Sequence, residues 1–435
     1  MSLIPNFAMK FQEYIAIFFS IFLTYLAALF AIPRLLKSNS DRHLLVVMIL
    51  GFTLCFRLLM ISTPPTLSTD IMRFAWDGRV FSHGIDPYAH APSSAELDQL
   101  KGVSYFEAYD HKEEITPYPP VAQLIFLLAA LLSGDFLGLK LTSTLLDLMN
   151  CLFLTYLLKG LSSSKMIGGL LLYSWSPLLI VEFSSSGHMD SLPIFFVLLS
   201  IILLSKSHFI SSAIFYSLGV WSKAYPILLL PLYFQYLRTQ GSWAAGLRFL
   251  LVFALSSFWL LLPLVPSSGA NVIAGQLYFV STWFFNPSTF FLLHLGLRRL
   301  LAQTTMLGLL LRILMGLVLL VISTRFAYVR HQKDLNVLAD SSIIVLGLMI
   351  LLAPAVFPWY VSWILAFCAL IGPNLRTLPW ILLSATVNLS YLAQFVKETN
   401  IIHVALAEYV PVYATIVIAY SWPYLRSRIH SRMPS

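Results

Sequence analysis

Residues 12–33 read QEYIAIFFSIFLTYLAALFAIP, an apolar run with a single charge, Glu13, near its start. A helix needs about 20 apolar residues to cross the hydrocarbon core of a membrane, because each residue adds about 1.5 Å. No small-residue cleavage pattern follows the run, so we expect an uncleaved membrane anchor. This stretch alone points to a helical membrane protein.

Apolar runs of the same kind recur along the whole chain of 435 residues. The other long runs are 44–62, 136–158, 166–183, 249–265, 303–323, 337–353, 376–392 and 402–424. Shorter runs occupy 121–133, 189–205, 209–222, 224–237 and 356–372. Together they predict an all-α polytopic membrane protein with about 12–14 membrane helices.

The composition supports this fold class. Hydrophobic residues make up 58% of the chain and charged residues only 11%, whereas a soluble protein carries about 25% charged residues. A soluble globular enzyme, a disordered chain and a secreted disulfide scaffold are therefore excluded. The three cysteines, Cys55, Cys151 and Cys368, all lie in apolar stretches, so we expect no disulfide framework.

The formal net charge is +8, but the basic residues stand in short clusters between apolar runs. The clusters are Arg34/Lys37/Arg42, Arg325/Arg330/Lys333 and Arg426/Arg428/Arg432. Such clusters mark the cytoplasmic side of membrane proteins, so we expect no nucleic-acid partner.

This orientation places the 63–120 segment on the outer side, together with the 266–288 loop and the turns at 187–188 and 357–360. The segment 121–158 must then cross the membrane an odd number of times. One of its two apolar pieces is expected to be re-entrant, and the sequence leaves open which one.

The outer segment 63–120 holds most of the polar chemistry of the chain, and loops of this length usually carry function. Residues 68–79, STDIMRFAWDGR, predict a short amphipathic helix at the membrane surface, with Ser68 or Thr69 as its N-cap. The following HGIDPY, at 83–88, predicts a reversal because glycine and an Asp-Pro pair favour turns.

Asp70, Arg73 and Asp77 follow an i, i+3, i+7 spacing, so they share one face of that helix. They indicate a functional site, although a solvated interfacial helix with an internal ion pair would carry the same pattern. Further along the loop, His111 and Lys112 either bind a phosphate or are simply solvated.

A second polar group, SSSGHMDS at 184–191, lies between two apolar runs, with Glu182 just before it. Ionisable residues at membrane depth are costly and are functional candidates by default. The His188 and Asp190 pair is therefore expected to orient the hydroxyls of a sugar or a phosphate.

A third polar group is Lys223, three residues before Pro226 in an apolar stretch, which predicts a broken helix. Irregular backbone at this depth needs protein or a water-filled cavity around it. The ammonium group is then placed to meet an anionic phosphate, and snorkelling to the interface is the alternative.

Other intramembrane charges, Arg57 and Asp147, are expected to form a buried pair or to snorkel. The aromatic groups at 283–287 and 357–360 are interpreted mainly as an interfacial belt, and they can also line a groove for a lipid chain. Metal-binding Cys/His spacing, a phosphate-binding glycine loop and a Gly-x-Ser-x-Gly elbow are all absent from the sequence.

The run from Asp70 to Arg79, followed by GIDPY at 84–88, resembles the first outer loop of bacterial GT-C glycosyltransferases. It is most similar to the polyprenyl-phosphate-mannose-dependent enzymes of the glycosyltransferase 87 type. YPPxxQ at 118–123 and the motifs GHxD and KxYP, at 187–190 and 223–226, are similar to patterns of the same class.

The resemblance implies a GT-C fold with a long first outer loop that carries short amphipathic helices. It implies an anchor and cytoplasmic loop at 1–43, a conserved catalytic module at 44–240 and a variable module at 241–435. The run at 12–33 departs from the pattern, because it precedes the expected first helix. The expected location is the bacterial cytoplasmic membrane, with the active site facing the periplasm or exterior.

The resemblance also implies a polyprenyl-phosphate sugar donor, mannose being favoured, and a lipid or glycan acceptor. The essential first-loop acid matches Asp70, which we expect to act as base, with Asp77 also catalytic and with inversion at the sugar carbon. The expected donor-binding residues are Arg73, Arg79, His111, Lys112, His188, Asp190 and Lys223. We expect no metal and no cofactor besides the donor, and membrane lipids as partners.

Two other classes of protein stay open at this point. A transporter or flippase of a lipid-linked sugar would also need charges in a cavity and broken helices. A non-catalytic membrane scaffold would not need a lysine and a His-x-Asp pair at membrane depth.

Overall fold

The computed structural model describes residues 6–34, 39–264, 268–300, 305–330, 332, 334–396 and 399–430. Three residues of the predicted cytoplasmic clusters, Lys37, Lys333 and Arg432, lie outside the described residues, as do the side chains of Arg426 and Arg428. Within these ranges the chain is helical and forms no β-strand.

The α-helices of the described part are α1 Phe11–Ala31, α2 Asn39–Ile61, α3 Asp70–Ser82, α4 Ser104–Ala108, α5 Pro120–Leu132, α6 Phe136–Leu158, α7 Ser163–Ser174, α8 Pro177–Leu179, α9 Ser191–Ser205, α10 Phe209–Val220, α11 Leu230–Gln240, α12 Trp243–Leu261, α13 Gly269–Thr282, α14 Thr289–Leu300, α15 Thr305–Val329, α16 Leu335–Leu352, α17 Val361–Ile371, α18 Leu378–Thr386, α19 Leu392–Phe395 and α20 Ile401–His430. A π-helical segment covers Ile180–Ser185, and short 3₁₀ helices cover Ile32–Arg34, Ala95–Leu100, Tyr225–Leu229, Leu262–Leu264, Pro358–Tyr360 and Val387–Tyr391.

Eight helices of the described part are long and apolar enough to cross a membrane. They are Phe11–Arg34, Arg42–Ile61, Phe136–Leu158, Ser163–Ser185, Trp243–Leu264, Gly308–Val329, Leu335–Leu352 and Ile401–Ser421. These eight match eight of the nine long runs in the sequence, so the prediction of an all-α polytopic membrane protein is confirmed.

The ninth run, 376–392, is not one continuous span. The α-helix α18 ends after nine residues and the 3₁₀ turn Val387–Tyr391 follows it. At the junction the buried Asn388 side chain accepts from the Tyr14 hydroxyl at 2.9 Å and donates to the Ser384 carbonyl at 3.4 Å. An amide that bonds to its own helix competes with the regular backbone ladder, which accounts for the break.

The short helix α5 begins and ends at the same end of the bundle. We call this the site end, because residues 186–190 and 221–224 also lie there. At the start of α5 the Val121 amide donates to the Trp221 carbonyl at 3.1 Å. At its end α5 packs so closely on the beginning of α6 that a Cβ atom on Gly138 would lie 2.2 Å from the Ala129 carbonyl oxygen.

The helix α6 makes the single crossing of 121–158. It begins at the site end, where Lys140 Nζ donates to the Ile61 carbonyl of α2 at 2.6 Å. At the opposite end Arg42 donates to the Lys159 carbonyl at 2.6 Å. The segment 121–158 therefore crosses the bundle once, as the predicted odd number of crossings requires. The re-entrant part of this segment is α5.

The helix α3 lies inside the protein rather than on its surface. Ser68 caps its start by accepting from the Asp70 amide at 3.1 Å. Ile71 and Phe74 are buried, and a Cβ atom on Gly78 would lie 2.4 Å from a backbone oxygen of α5. The alternative of a solvated interfacial helix is wrong, because α5 and the outer loop cover this helix.

The second half of the chain packs on the outer loop. Gly84 has a φ of +76°, as the predicted reversal requires, and the loop then reaches α13. The hydroxyl of Ser268 donates to Asp86 at 2.5 Å, and Asn271 donates to the Tyr88 carbonyl at 2.8 Å. These contacts join the halves of the chain at the site end.

The predicted charge pair between Arg57 and Asp147 is confirmed as a buried pair. Arg57 Nε lies 2.7 Å from Asp147 Oδ2, and both side chains are fully buried. The same guanidinium donates to the Ser174 carbonyl at 2.8 Å, so one side chain ties α2 to α6 and α7. We interpret this ion pair as structural, because its partners belong to three packed helices.

Candidate active site

Asp70 opens α3 at the site end, and its carboxylate is half-buried. Within the described residues the carboxylate accepts one hydrogen bond, a long one of 3.4 Å from the Tyr118 hydroxyl. Burial raises the pKa of Asp70, while the nearby His188 and Lys223 act to lower it. The group is therefore open within the described part, close to His188 and Lys223, and its pKa is shifted in the direction that makes a carboxylate a better base.

A sharp turn brings the second polar group under α3. Gly187 has a φ of +74°, and a Cβ atom there would lie 2.5 Å from Ile71 Cδ1 and 3.2 Å from Lys140 Cγ. The Ser143 hydroxyl fastens the turn to α6 by donating to the His188 carbonyl at 2.6 Å. Only glycine fits both this backbone conformation and this contact.

His188 is held by a buried carboxylate. Its Nδ1 lies 2.8 Å from Glu182 Oε2, and the Tyr391 hydroxyl donates to Glu182 Oε1 at 3.1 Å. The imidazole stacks on Trp359 with ring centres 3.6 Å apart. Because a carboxylate accepts only, Nδ1 carries a proton, and Nε2, buried and without a partner within the described part, is left for a substrate.

Asp190 and Lys223 form an ion pair rather than two independent groups. Lys223 Nζ lies 2.7 Å from Asp190 Oδ1, and Trp363 Nε1 donates to the same oxygen at 2.7 Å. The ammonium also lies 4.7 Å from the centre of the Tyr360 ring. The predicted broken helix is confirmed, since α10 ends at Val220, and Lys223 pairs inside the protein instead of snorkelling.

The second half of the chain supplies the aromatic wall of this site. Trp359 and Trp363 are each 4% exposed, so the interpretation of 357–360 as an interfacial belt is wrong for Trp359. Tyr360 stacks on Trp363 at 4.3 Å between ring centres. Trp363, Tyr391 and Tyr118 were not among the predicted site residues, because only tertiary packing reveals which aromatic rings contact a charged group.

Arg73 and Asp77 form a separate, saturated group. Arg73 Nε lies 2.8 Å from Asp77 Oδ1, while Thr116 and Gln123 donate to Oδ2 at 2.6 Å and 2.9 Å. The Arg73 guanidinium also contacts the Tyr109 hydroxyl. Arg73 is therefore paired with Asp77 and not with Asp70. Both oxygens of Asp77 accept hydrogen bonds, and its catalytic role stays a prediction.

Three other predicted donor-binding residues lie in the outer loop and pair within it. The contacts are Arg79 with the Leu100 carbonyl at 3.2 Å, His111 with Glu114 at 3.0 Å, and Lys112 with Glu107 at 3.3 Å. The structure thus brings Asp70, His188, Asp190 and Lys223 together, while the donor-binding role of the other three stays a prediction. The His111 ring also packs on Trp283 at 4.7 Å between ring centres.

No group of three or more His, Cys, Asp or Glu residues that could hold a metal ion occurs in the ranges described. A cavity of about 230 Å³ lies beside Trp221 and is lined from α13 by Ile273, Gln276, Leu277 and Val280. A larger groove, of about 730 Å³, lies at the opposite end of the bundle.

A comparison with protein families identifies the family of the chain. Residues 3–238 match the MptA_B family, described as "Alpha-(1->6)-mannopyranosyltransferase, N-terminal domain". The chain belongs to this family. It is a glycosyltransferase of the mannosyltransferase class, as the sequence predicted, while the narrower glycosyltransferase 87 type stays a prediction. No curated protein matches the chain.

The family match covers one part of the site. Asp70, His188, Asp190 and Lys223 all lie inside the matched range, which also includes the run at 12–33. The aromatic wall lies beyond residue 238. The candidate site residues therefore lie in the range that matches the family's N-terminal domain, and the second half of the chain completes their surroundings.

Proposed function

We propose that the chain transfers a mannosyl group from a polyprenyl-phosphate donor to a hydroxyl group of a lipid or glycan acceptor. The linkage formed is α-(1→6), as the family description states for its members. One observation carries the proposal: among the described residues the Asp70 carboxylate accepts a single long hydrogen bond, and it lies beside His188 and Lys223.

The reaction breaks the bond between the anomeric carbon and the donor phosphate, and the acceptor oxygen forms the new bond. The acceptor proton goes to the Asp70 carboxylate, and polyprenyl phosphate leaves with the electron pair of the broken bond. Because a phosphate is a good leaving group, it needs positive charge beside it rather than a proton donor. Attack from the opposite face inverts the sugar carbon.

In this proposal the Lys223 ammonium stabilises the departing phosphate, and His188 Nε2 accepts a hydrogen bond from a sugar hydroxyl. Asp190 and the aromatic rings hold the Lys223 ammonium in place, and Glu182 fixes the imidazole so that Nε2 is free. Asp77 and Arg73 act as positioning residues, because they hold α3 against the loop. Arg79, His111 and Lys112 take no part in the chemical step.

The site end is proposed to face the outside of the bacterial cytoplasmic membrane. Support comes from the distribution of basic residues, since Arg42, Arg330 and Arg376 lie at the opposite end. Basic residues concentrate on the cytoplasmic side of membrane proteins. A lipid-carried donor suits this side, because nucleotide sugars are cytoplasmic.

The test is a transfer assay with the purified full-length protein in lipid nanodiscs. We expect label from polyprenyl-phosphate [¹⁴C]mannose to appear in an acceptor glycolipid, and no label from GDP-[¹⁴C]mannose. Transfer from GDP-mannose alone would contradict the proposed donor. In proteoliposomes, movement of the labelled lipid across the bilayer without a new glycosidic bond would favour the transporter instead.

A further inference from the structure

The groove of about 730 Å³ at the opposite end of the bundle is unrelated to the sugar chemistry. It opens between the start of α16, the connection from α17 to α18, and α20. No step of the proposed transfer uses its polar lining, which consists of Arg330, Asn336, Asp340, Asn374 and Arg376.

The groove carries one positive charge in excess. Arg330 and Arg376 both donate to Asp340 Oδ2, the latter at 2.9 Å. One arginine is enough to neutralise one carboxylate. Each guanidinium has five N–H donors, and each contacts Asp340 through only its NH1 nitrogen within the described part of the chain. The remaining donors suit an anion, and the Arg376 side chain is 47% exposed.

The other walls of the groove are mostly apolar. Ile371 and Leu375 line it beside the arginines, and Leu375 is 43% exposed. A cationic head above apolar walls, level with the ends of membrane helices, suits an amphiphile better than a small soluble ion. Basic pockets between transmembrane helices are sites of this kind for anionic lipids.

We propose that this groove binds an anionic phospholipid. The lipid phosphate bonds to the guanidinium groups of Arg330 and Arg376, and an acyl chain lies against Ile371 and Leu375. Inorganic phosphate shares the headgroup chemistry but would leave the apolar walls and most of the volume unfilled. The bound lipid would join α16, the end of α17 with its connection to α18, and α20.

The experiment measures lipid retention by the full-length protein with native mass spectrometry. The detergent-purified protein is titrated with phosphatidylglycerol, phosphatidylcholine or inorganic phosphate in separate arms. We expect phosphatidylglycerol to be retained at least tenfold better than phosphatidylcholine, and inorganic phosphate not to displace it at a hundredfold excess. Equal retention of both lipids would overturn the proposal, and so would displacement by phosphate.

Two variants locate the binding. Arg376→Gln leaves the pair of Arg330 with Asp340 intact and is expected to weaken phosphatidylglycerol binding about tenfold, the effect of one charge-assisted hydrogen bond. The triple change Arg330→Gln, Asp340→Asn and Arg376→Gln removes all three charges, so it leaves no buried carboxylate unpaired, and it is expected to abolish the lipid preference.

The matched control is Lys206→Gln. Lys206 is exposed at the same end of the bundle and rests on the Tyr156 ring of α6, away from the groove. The Lys206→Gln substitution removes one positive charge, as Arg376→Gln does, and is expected to leave lipid retention unchanged. If the triple variant retains phosphatidylglycerol as well as the unaltered protein does, the groove is not the binding site.

Discussion

The two carboxylates of α3, Asp70 and Asp77, differ in their burial and in their hydrogen-bond partners. Asp77 is 2% exposed and accepts from Arg73, Thr116 and Gln123. Asp70, two turns earlier, is half-buried and accepts one long hydrogen bond, from Tyr118. A saturated buried pair holds structure together, whereas an open carboxylate with a shifted pKa is available for chemistry.

The difference arises from what covers each turn of the helix. The third turn lies beneath the outer loop, whose polar side chains supply donors to Asp77. The first turn faces the turn at 186–190, and the nearby His188 and Lys223 already have partners in Glu182 and Asp190. Charge thus surrounds Asp70 without neutralising it by direct contact.

The largest expected effect is the loss of transfer in Asp70→Asn. The amide keeps the shape of the carboxylate but cannot take the acceptor proton, so we expect kcat to fall by about 10²–10⁴-fold. Initial rates in the nanodisc assay measure this, and the thermal midpoint of the variant should not fall. The control Asp98→Asn alters an exposed loop carboxylate and should keep full activity; full activity of Asp70→Asn would refute the proposed base.

The second expected effect is a loss of stability in Asp77→Asn. The substitution leaves the buried Arg73 charge without a charged partner, and breaking a comparable buried pair costs about 3–5 kcal/mol. Tryptophan fluorescence on heating should show a clearly lower midpoint than in Asp70→Asn. The double change Arg73→Met and Asp77→Leu should recover much of the loss, because no charge is orphaned. Unchanged stability of Asp77→Asn would show that the contrast between the two carboxylates is mistaken.

A smaller effect separates two glycines of similar backbone conformation. Gly187→Ala and Gly84→Ala both place a side chain at positive φ, at a cost of about 1–2 kcal/mol. Only at Gly187 does the new Cβ collide with Ile71 on the first turn of α3, since nothing lies within 4 Å of the same atom at Gly84. We expect transfer to fall roughly tenfold, about 1.4 kcal/mol, in Gly187→Ala alone. Equal activities would show that the turn does not position Asp70.

The smallest effect is a shift of the pH profile in Tyr118→Phe. A base works only when deprotonated, so kcat/KM falls as the pH drops through the pKa of Asp70. Burial raises that pKa, and the hydrogen bond from Tyr118 lowers it. Removing the hydroxyl therefore moves the acid limb to higher pH, which a profile of kcat/KM against pH records. Tyr105→Phe, in the same loop but packed on Phe136, is the control and should leave the limb in place.

Much of the fold followed from hydropathy, because a span has a minimum length. Eight of the nine long runs are helices able to cross a membrane, and α6 covers the same residues as the predicted run 136–158. The number of crossings within 121–158 could not be predicted from hydropathy. The helix α5 is as apolar as a membrane span, although it has only 13 residues. Its return to the site end depends on packing against α3 and α6.

Part of the candidate site was also evident in the sequence. Ionisable residues in apolar stretches stand out, and His188, Asp190 and Lys223 were found in this way. The partners of these residues were not, because Trp359 and Trp363 are ordinary members of an apolar segment until the fold places their rings.

The sequence by itself determined that this is a helical membrane protein, and its first-loop motif indicated a glycosyltransferase before any packing was known. Both conclusions rest on local properties: the apolarity of a segment and the order of residues along it. Tertiary structure alone decided which of two carboxylates on one helix is braced and which is open. The difference depends on hydrogen-bond donors from residues 109–123 of the outer loop and on the turn at 186–190. These segments are remote in sequence, so their distances from α3 cannot be inferred from the order of residues.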